Sequence, residues 1–114
     1  MNSSPLPQEF VHRLDIARDH PAFGGHFPGR PVLPGVALLA AVFESASTEP
    51  VLAECIGTAP RLEVVKFLAP VLPGASLAIR FRIMTGGLEF TVHEGDQSAA
   101  SGRFARSADQ SRRP

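Results

Sequence analysis

HPAFGGHFPGRPVLPGVALL, residues 20–39, is the stretch on which the fold of this chain turns. It sets one histidine, His26, among glycines and prolines and runs through Pro34-Gly35 straight into an apolar helical pattern. Prolines at 28, 31 and 34 restrict the backbone to a few conformations, while Gly24, Gly25, Gly29 and Gly35 permit turns or the close approach of another group. An ordinary surface loop with a hydrogen-bonding histidine has this composition too. A stiff, irregular segment that delivers an imidazole to the start of a buried helix, however, points to a site.

On the C-terminal side, Leu38, Leu39, Val42, Phe43 and Ala46 recur at three- and four-residue spacing, and Ala37, Ala40 and Ala41 favour helix. The pattern predicts a helix over 35–47, ended by Glu49-Pro50 and largely enclosed, since its first three turns are almost wholly apolar. Val51 to Gly57 is ambiguous, with a strand as one reading. Leu62 to Leu68 alternates imperfectly. Leu77 to Thr85 alternates cleanly, with Leu77, Ile79, Phe81 and Ile83 on one face and Arg80 and Arg82 opposite. Gly86-Gly87 signals a hairpin into Leu88 to Glu94, and Gly95-Asp96 a turn into a last strand over 97–106. On the N-terminal side, Glu9 to Ala17 reads as a short first strand. The economical arrangement is α+β: an antiparallel sheet wrapped around one long central helix.

The length suits a single domain over 9–106, with a loose lead at 1–8 and a disordered arginine-containing tail at 107–114. Eleven basic residues balance eleven acidic ones, which gives no global case for a nucleic-acid partner. A single cysteine, Cys55, forms no intramolecular disulfide; it reads as a small buried hydrophobe in a reducing compartment. There is no signal-peptide pattern and no apolar run long enough for a bilayer, so a cytoplasmic chain without membrane insertion is expected. No metal-ligand spacing, Walker loop or dinucleotide fingerprint occurs.

Two motifs carry a family resemblance. GHFPGRPVLPGV, Gly25 to Val36, closely resembles the signature of the β-hydroxyacyl-acyl-carrier-protein dehydratases, which have the hotdog fold. KFLAPVLPG, Lys66 to Gly74, resembles the strand and turn that follow the helix in that family. The run from Asp19 to Leu39 is most similar to the short stand-alone ApeI-like dehydratases. The resemblance implies a homodimer, or a higher even oligomer, whose two sheets join side by side, with active sites at the interface. It implies an acyl chain on the phosphopantetheine arm of an acyl carrier protein or of coenzyme A, and no further cofactor. It also implies that His26 works on the carbon beside the thioester and that the Gly35 N–H meets the thioester carbonyl. A carboxylate, Glu or Asp, is implied fourteen residues after the histidine on the partner's helix; here that position is Ala40.

The chemistry of these residue types agrees with such a site. Imidazole exchanges protons near neutrality, and an N–H at a helix N-terminus stabilises an enolate-like oxygen. Gly35 allows close approach, and Pro34 holds the chain entering the helix. Phe23, Phe27, Pro34, Val36 and Ala40 are the candidate acyl-binding residues, with Phe23 or Phe27 alternatively filling core. A proton for the departing hydroxyl has three candidate sources: Glu44, about 6 Å along the helix from Ala40, His26 itself, or a partner chain. The alternatives are a thioesterase on the same fold, or an acyl-thioester-binding protein without dehydratase activity. His20 reads as a loop hydrogen-bonding residue, and Arg30 with the C-terminal arginines as candidate contacts for an acidic carrier protein.

Overall fold

The computed structural model of the chain describes residues 9–24, 31–57 and 59–105. In order these form β1 (Glu9–Asp15), a 3-10 turn (Pro21–Phe23), α1 (Gly35–Ser47), α2 (Pro50–Ile56), β2 (Arg61–Phe67), β3 (Ser76–Met84), β4 (Gly87–Glu94) and β5 (Gln97–Ala105). The expected lead at 1–8 and tail at 107–114 lie outside the described residues. The five strands make one antiparallel sheet in the order β1-β3-β4-β5-β2.

Alternation in β3 and β4 sorts the faces of this sheet. Leu77, Ile79 and Phe81 turn inward and are buried, Ile79 opposite Val92 and Phe81 opposite Phe90, and Leu88 of β4 is buried with them. Arg80 and Arg82 point the other way and are exposed; Arg80 meets Glu9 of β1 at 3.3 Å across the outer face. Gly86 sits at φ 78° in the β3–β4 hairpin, a conformation that a residue with a Cβ adopts only with strain. α1 covers the inner face through Leu38, Val42 and Ala46, all buried. The Phe104 ring of β5 joins the two layers, with its centroid 6.1 Å from that of Phe43 and 5.3 Å from that of Phe90. This is the sheet-around-a-helix arrangement that the strand and helix patterns imply.

Two expectations are corrected. Residues 50–56 form a helix, not a strand. Pro50 occupies its first turn, where a fixed φ and a missing N–H cost nothing. Leu52 and Ile56, four apart and both fully buried, pack its inner side, and Gly57 at φ 75° ends it by donating its N–H to the Ala53 carbonyl at 3.0 Å. α2 turns away from α1 by 116°. The second correction is that α1 is not largely enclosed: Val36, Ala40, Glu44 and Ser47 form an exposed face along its length, and Val36 is 78% exposed. Among the described residues nothing covers this side of the helix, which carries the apolar Val36 and Ala40.

The sheet leaves β2 as an edge. This strand pairs with β5 on one side only, carries a bulge between Leu62 and Val64, and has just one half-buried residue, Val65. Leu62, Val64, Phe67 and the following Leu68 are all exposed large hydrophobics. Long apolar edges of this kind are templates for pairing with another chain. Among the described residues, no single helix is long and apolar enough to cross a bilayer.

Candidate active site

The segment entering α1 is fixed by its neighbours rather than by its own secondary structure. After β1, His20 accepts the Ala22 N–H at its Nδ1 (3.0 Å), capping the 3-10 turn and fulfilling the loop role read from the sequence. Phe23, at the end of that turn, is buried in the main core. Further along, the Leu33 N–H donates to the Val71 carbonyl at 2.8 Å, and the Leu68 N–H to the Ala99 carbonyl at 2.8 Å. These two bonds hold the approach to α1 beside the chain that leaves β2.

Between those two segments lies an open cavity of about 590 Å³. Residues 32–35 and Leu38 form one wall and residues 67–71 the other. Every described side chain lining it is apolar, which suits a hydrocarbon ligand within the ordinary size range of small-molecule sites. Among the described residues, the polar groups available to a ligand are therefore main-chain ones, and α1 begins at this wall. Its first intrahelical bonds come from the Ala37 and Leu38 N–H groups, both donating to the Pro34 carbonyl at 3.0 and 3.1 Å. Neither a side-chain cap nor an acidic residue occupies the first turn. The positive end of the helix dipole thus has no negative side chain of its own turn to offset it.

The predicted residues divide into three groups. Pro34 and Gly35 line the cavity. Val36, Ala40 and Glu44 lie on the exposed face of α1, one turn apart, and do not line it. Phe23 belongs to the core. His26, Phe27 and Arg30 lie outside the described residues, as do Arg106, Arg112 and Arg113. Among the described residues, no three His, Cys, Asp or Glu side chains come together as a metal site. Cys55 is half-buried, with its Sγ donating to the Gly87 carbonyl at 3.4 Å.

One lining residue was given no role by the sequence reading. Phe67, the last residue of β2, points its ring end-on at Gly35: a Cβ placed on Gly35 would stand 2.6 Å from Phe67 Cζ. Its signal in the sequence was present, an aromatic at the end of an alternating strand just before Pro70, but alternation alone does not say what a terminal ring faces.

Comparison with known proteins gives this geometry a context. Residues 3–103 match the model of the ApeI-like family, described as ApeI dehydratase. The chain is 30% identical over 110 residues to the 3-hydroxyacyl-[acyl-carrier-protein] dehydratase FabZ of Nitratidesulfovibrio vulgaris (strain DP4), covering 90% of this chain and 71% of that one. Among solved structures it is similar to a chain of the dehydratase heterocomplex ApeI:P from Xenorhabdus doucetiae, at a TM-score of 0.71 and 30% identity over 90% of each chain. It is also similar to a protein from Erwinia carotovora subsp. atroseptica, at a TM-score of 0.65 and 35% identity, over 85% of this chain and 81% of that one.

Proposed function

The chain belongs to the ApeI-like family of hotdog-fold dehydratases, and on that premise we propose that it removes water from a 3-hydroxyacyl thioester to give the trans-2-enoyl thioester. The observation that carries this reading is the start of α1 at Gly35, uncapped and free of first-turn acid, in the wall of an apolar cavity. In the reaction the His26 imidazole takes the α proton. The C–H electron pair becomes the Cα=Cβ bond, and charge that gathers on the thioester oxygen is met by the Gly35 N–H. The Cβ–O bond then breaks, and the hydroxyl leaves as water once it receives a proton.

Ala40 cannot supply that proton. Glu44 stands one turn further along the same exposed face, directed away from its own cavity. In our reading a second copy lies against this face and against the β2 edge, so that Glu44 serves the neighbouring copy's site through water. Burial of Leu62, Val64, Phe67 and Leu68 there would favour the pair by roughly 1 kcal/mol or more per side chain. Residues 9–106 then act as one catalytic unit within a cytoplasmic homodimer that takes its substrate on carrier-protein phosphopantetheine or on coenzyme A.

Ala40 also favours a second reading, in which this chain binds the acyl group but pairs with an unlike subunit that brings the carboxylate. The heterocomplex formed by the Xenorhabdus doucetiae relative supports it. The test is hydration of crotonyl and longer enoyl thioesters, the reverse reaction, followed by loss of enoyl absorbance. Activity in the isolated chain, lost on His26→Ala, is expected from the first reading. Hydration that His26→Ala leaves untouched overturns the mechanism, and tight acyl binding without turnover at any chain length favours the second.

A further inference from the structure

We infer that His20 is a positioning residue for the site: its neutral imidazole caps the turn that hands the chain on to the segment carrying His26, and a second proton on the ring undoes that cap. This rests on the dehydratase reading above. The chain between β1 and α1 is anchored at two points, both on the connection from β2 to β3. At the first, the Ile16 N–H donates to the Ala75 carbonyl at 2.8 Å and the Gly74 N–H to the Ile16 carbonyl at 2.9 Å; the second is the Leu33 bond to Val71. Between these anchors, residues 17–24 are folded by three main-chain bonds of 3.0–3.1 Å, from His20 to Ala17, from Phe23 to His20 and from Gly24 to Pro21. Among the described residues, the one side-chain hydrogen bond in this stretch runs from the Ala22 N–H to His20 Nδ1. His26 follows six residues after the cap.

The identity of the capping residue gives the bond its consequence. Pro21 has no N–H, so Ala22 presents the first donor of the turn. The usual caps, Ser, Thr, Asp and Asn, accept such a donor throughout the neutral range. An imidazole nitrogen accepts only while it carries no proton, which places the proton of neutral His20 on Nε2. Imidazoles take up their second proton between about pH 5 and 8. Nδ1 is then a donor facing a donor, and no other described side chain bonds to the turn. The ring's other neighbour is the Phe23 ring, edge-on at 6.2 Å. Among the described residues no charged group compensates: Asp19 forms no bond or ion pair with His20, and Arg18 lies over Gly74 instead. Phe23 stays in the core by its own burial, so protonation loosens the link from core to site segment and leaves the core intact.

The experiment follows the isotope-labelled full chain by NMR across the imidazole range. The neutral His20 ring is expected to show the Nε2–H tautomer, and the Ala22 amide to shift as that ring titrates. A neutral ring protonated on Nδ1, or an Ala22 amide indifferent to the titration, overturns the cap. The His26 ring signals are expected to show, besides their own titration, an inflection that follows His20. This inflection disappears in His20→Asn, whose amide oxygen accepts the same N–H at every pH. Its absence from the wild type overturns the positioning role. In crotonyl thioester hydration, His20→Ala is expected to lower kcat by about tenfold with KM little changed, the loss that a misplaced reacting group brings, and His20→Asn to recover it. On the acid side, kcat/KM of the wild type falls more steeply than that of His20→Asn, because two rings instead of one must stay neutral; limbs of equal steepness overturn the inference. If the wild type hydrates no enoyl thioester while the His26 signals follow His20, positioning stands and elimination by this chain falls. If His26→Ala abolishes hydration but His20→Ala leaves it untouched, positioning falls and elimination stands.

Discussion

Ala40 concentrates the chemical question into one side chain. It lies on the exposed face of α1 between Val36 and Glu44, where a carboxylate would project away from its own cavity. Ala40→Glu is expected to raise the enoyl hydration rate by about 10²-fold, the usual worth of a positioned acid, measured as kcat at saturating substrate. Glu44→Gln should lower the wild-type rate by at least about tenfold if that residue acts in the meantime. An unchanged rate would return the proton to His26. At this scale the sequence was informative where chemistry needs a particular residue type. The Gly/Pro pattern ahead of an apolar helix pointed to a site and the family resemblance singled out Gly35, which with Pro34 lines the cavity, while His20 makes its loop bond. The placing of Phe67 could not be read, because it faces Gly35 across 32 positions of chain, a contact that no local period encodes.

Among the elements, β3 and β4 were legible because strict alternation flanks Gly86, whose positive φ a tight hairpin requires. α1 was legible in its extent but not in its exposure. Apolar composition over the first three turns does not distinguish a face against the core from one left open, so the helix as a whole looked enclosed although Val36 and Ala40 are exposed. α2 was missed because seven residues give too few repeats to separate helix from strand. The usable signals were Pro50 at a helix start and the four-residue step from Leu52 to Ile56. Both side chains are fully buried, so Leu52→Ala should destabilise the chain by about 2–5 kcal/mol in urea unfolding, while the exposed Glu54→Ala changes it by less than about 0.5 kcal/mol. Equal effects at the two positions would contradict the packing of this helix against the sheet.

For the whole molecule, the outer edge of β2 and the exposed face of α1 are where the proposed second copy is tested. Both surfaces carry exposed apolar side chains, and the cavity with Phe67 and Gly35 opens beside that edge. Replacing Leu62 and Val64 together by lysine places charge where a second sheet would join. The wild type is expected to sediment as a dimer and to melt at a temperature that rises with protein concentration. The double variant should sediment as a monomer, keep its circular dichroism and lose enoyl hydration. A variant that remains dimeric would place the interface elsewhere.

The order of the sheet also governs how the chain comes into being on a ribosome. β1 is made first yet pairs only with β3, so that Asp15 must find Ser76, which is 61 residues further on. β2 likewise stays solitary until β5 has been synthesised. During translation the helices, and later the β3–β4 and β4–β5 hairpins, can gain structure from their immediate neighbours, whereas β1 and β2 cannot. The sheet must then close late and almost at once, at the millisecond-to-second pace typical of distant pairings. Until that moment the apolar strands are open to capture by chaperones or by other nascent copies.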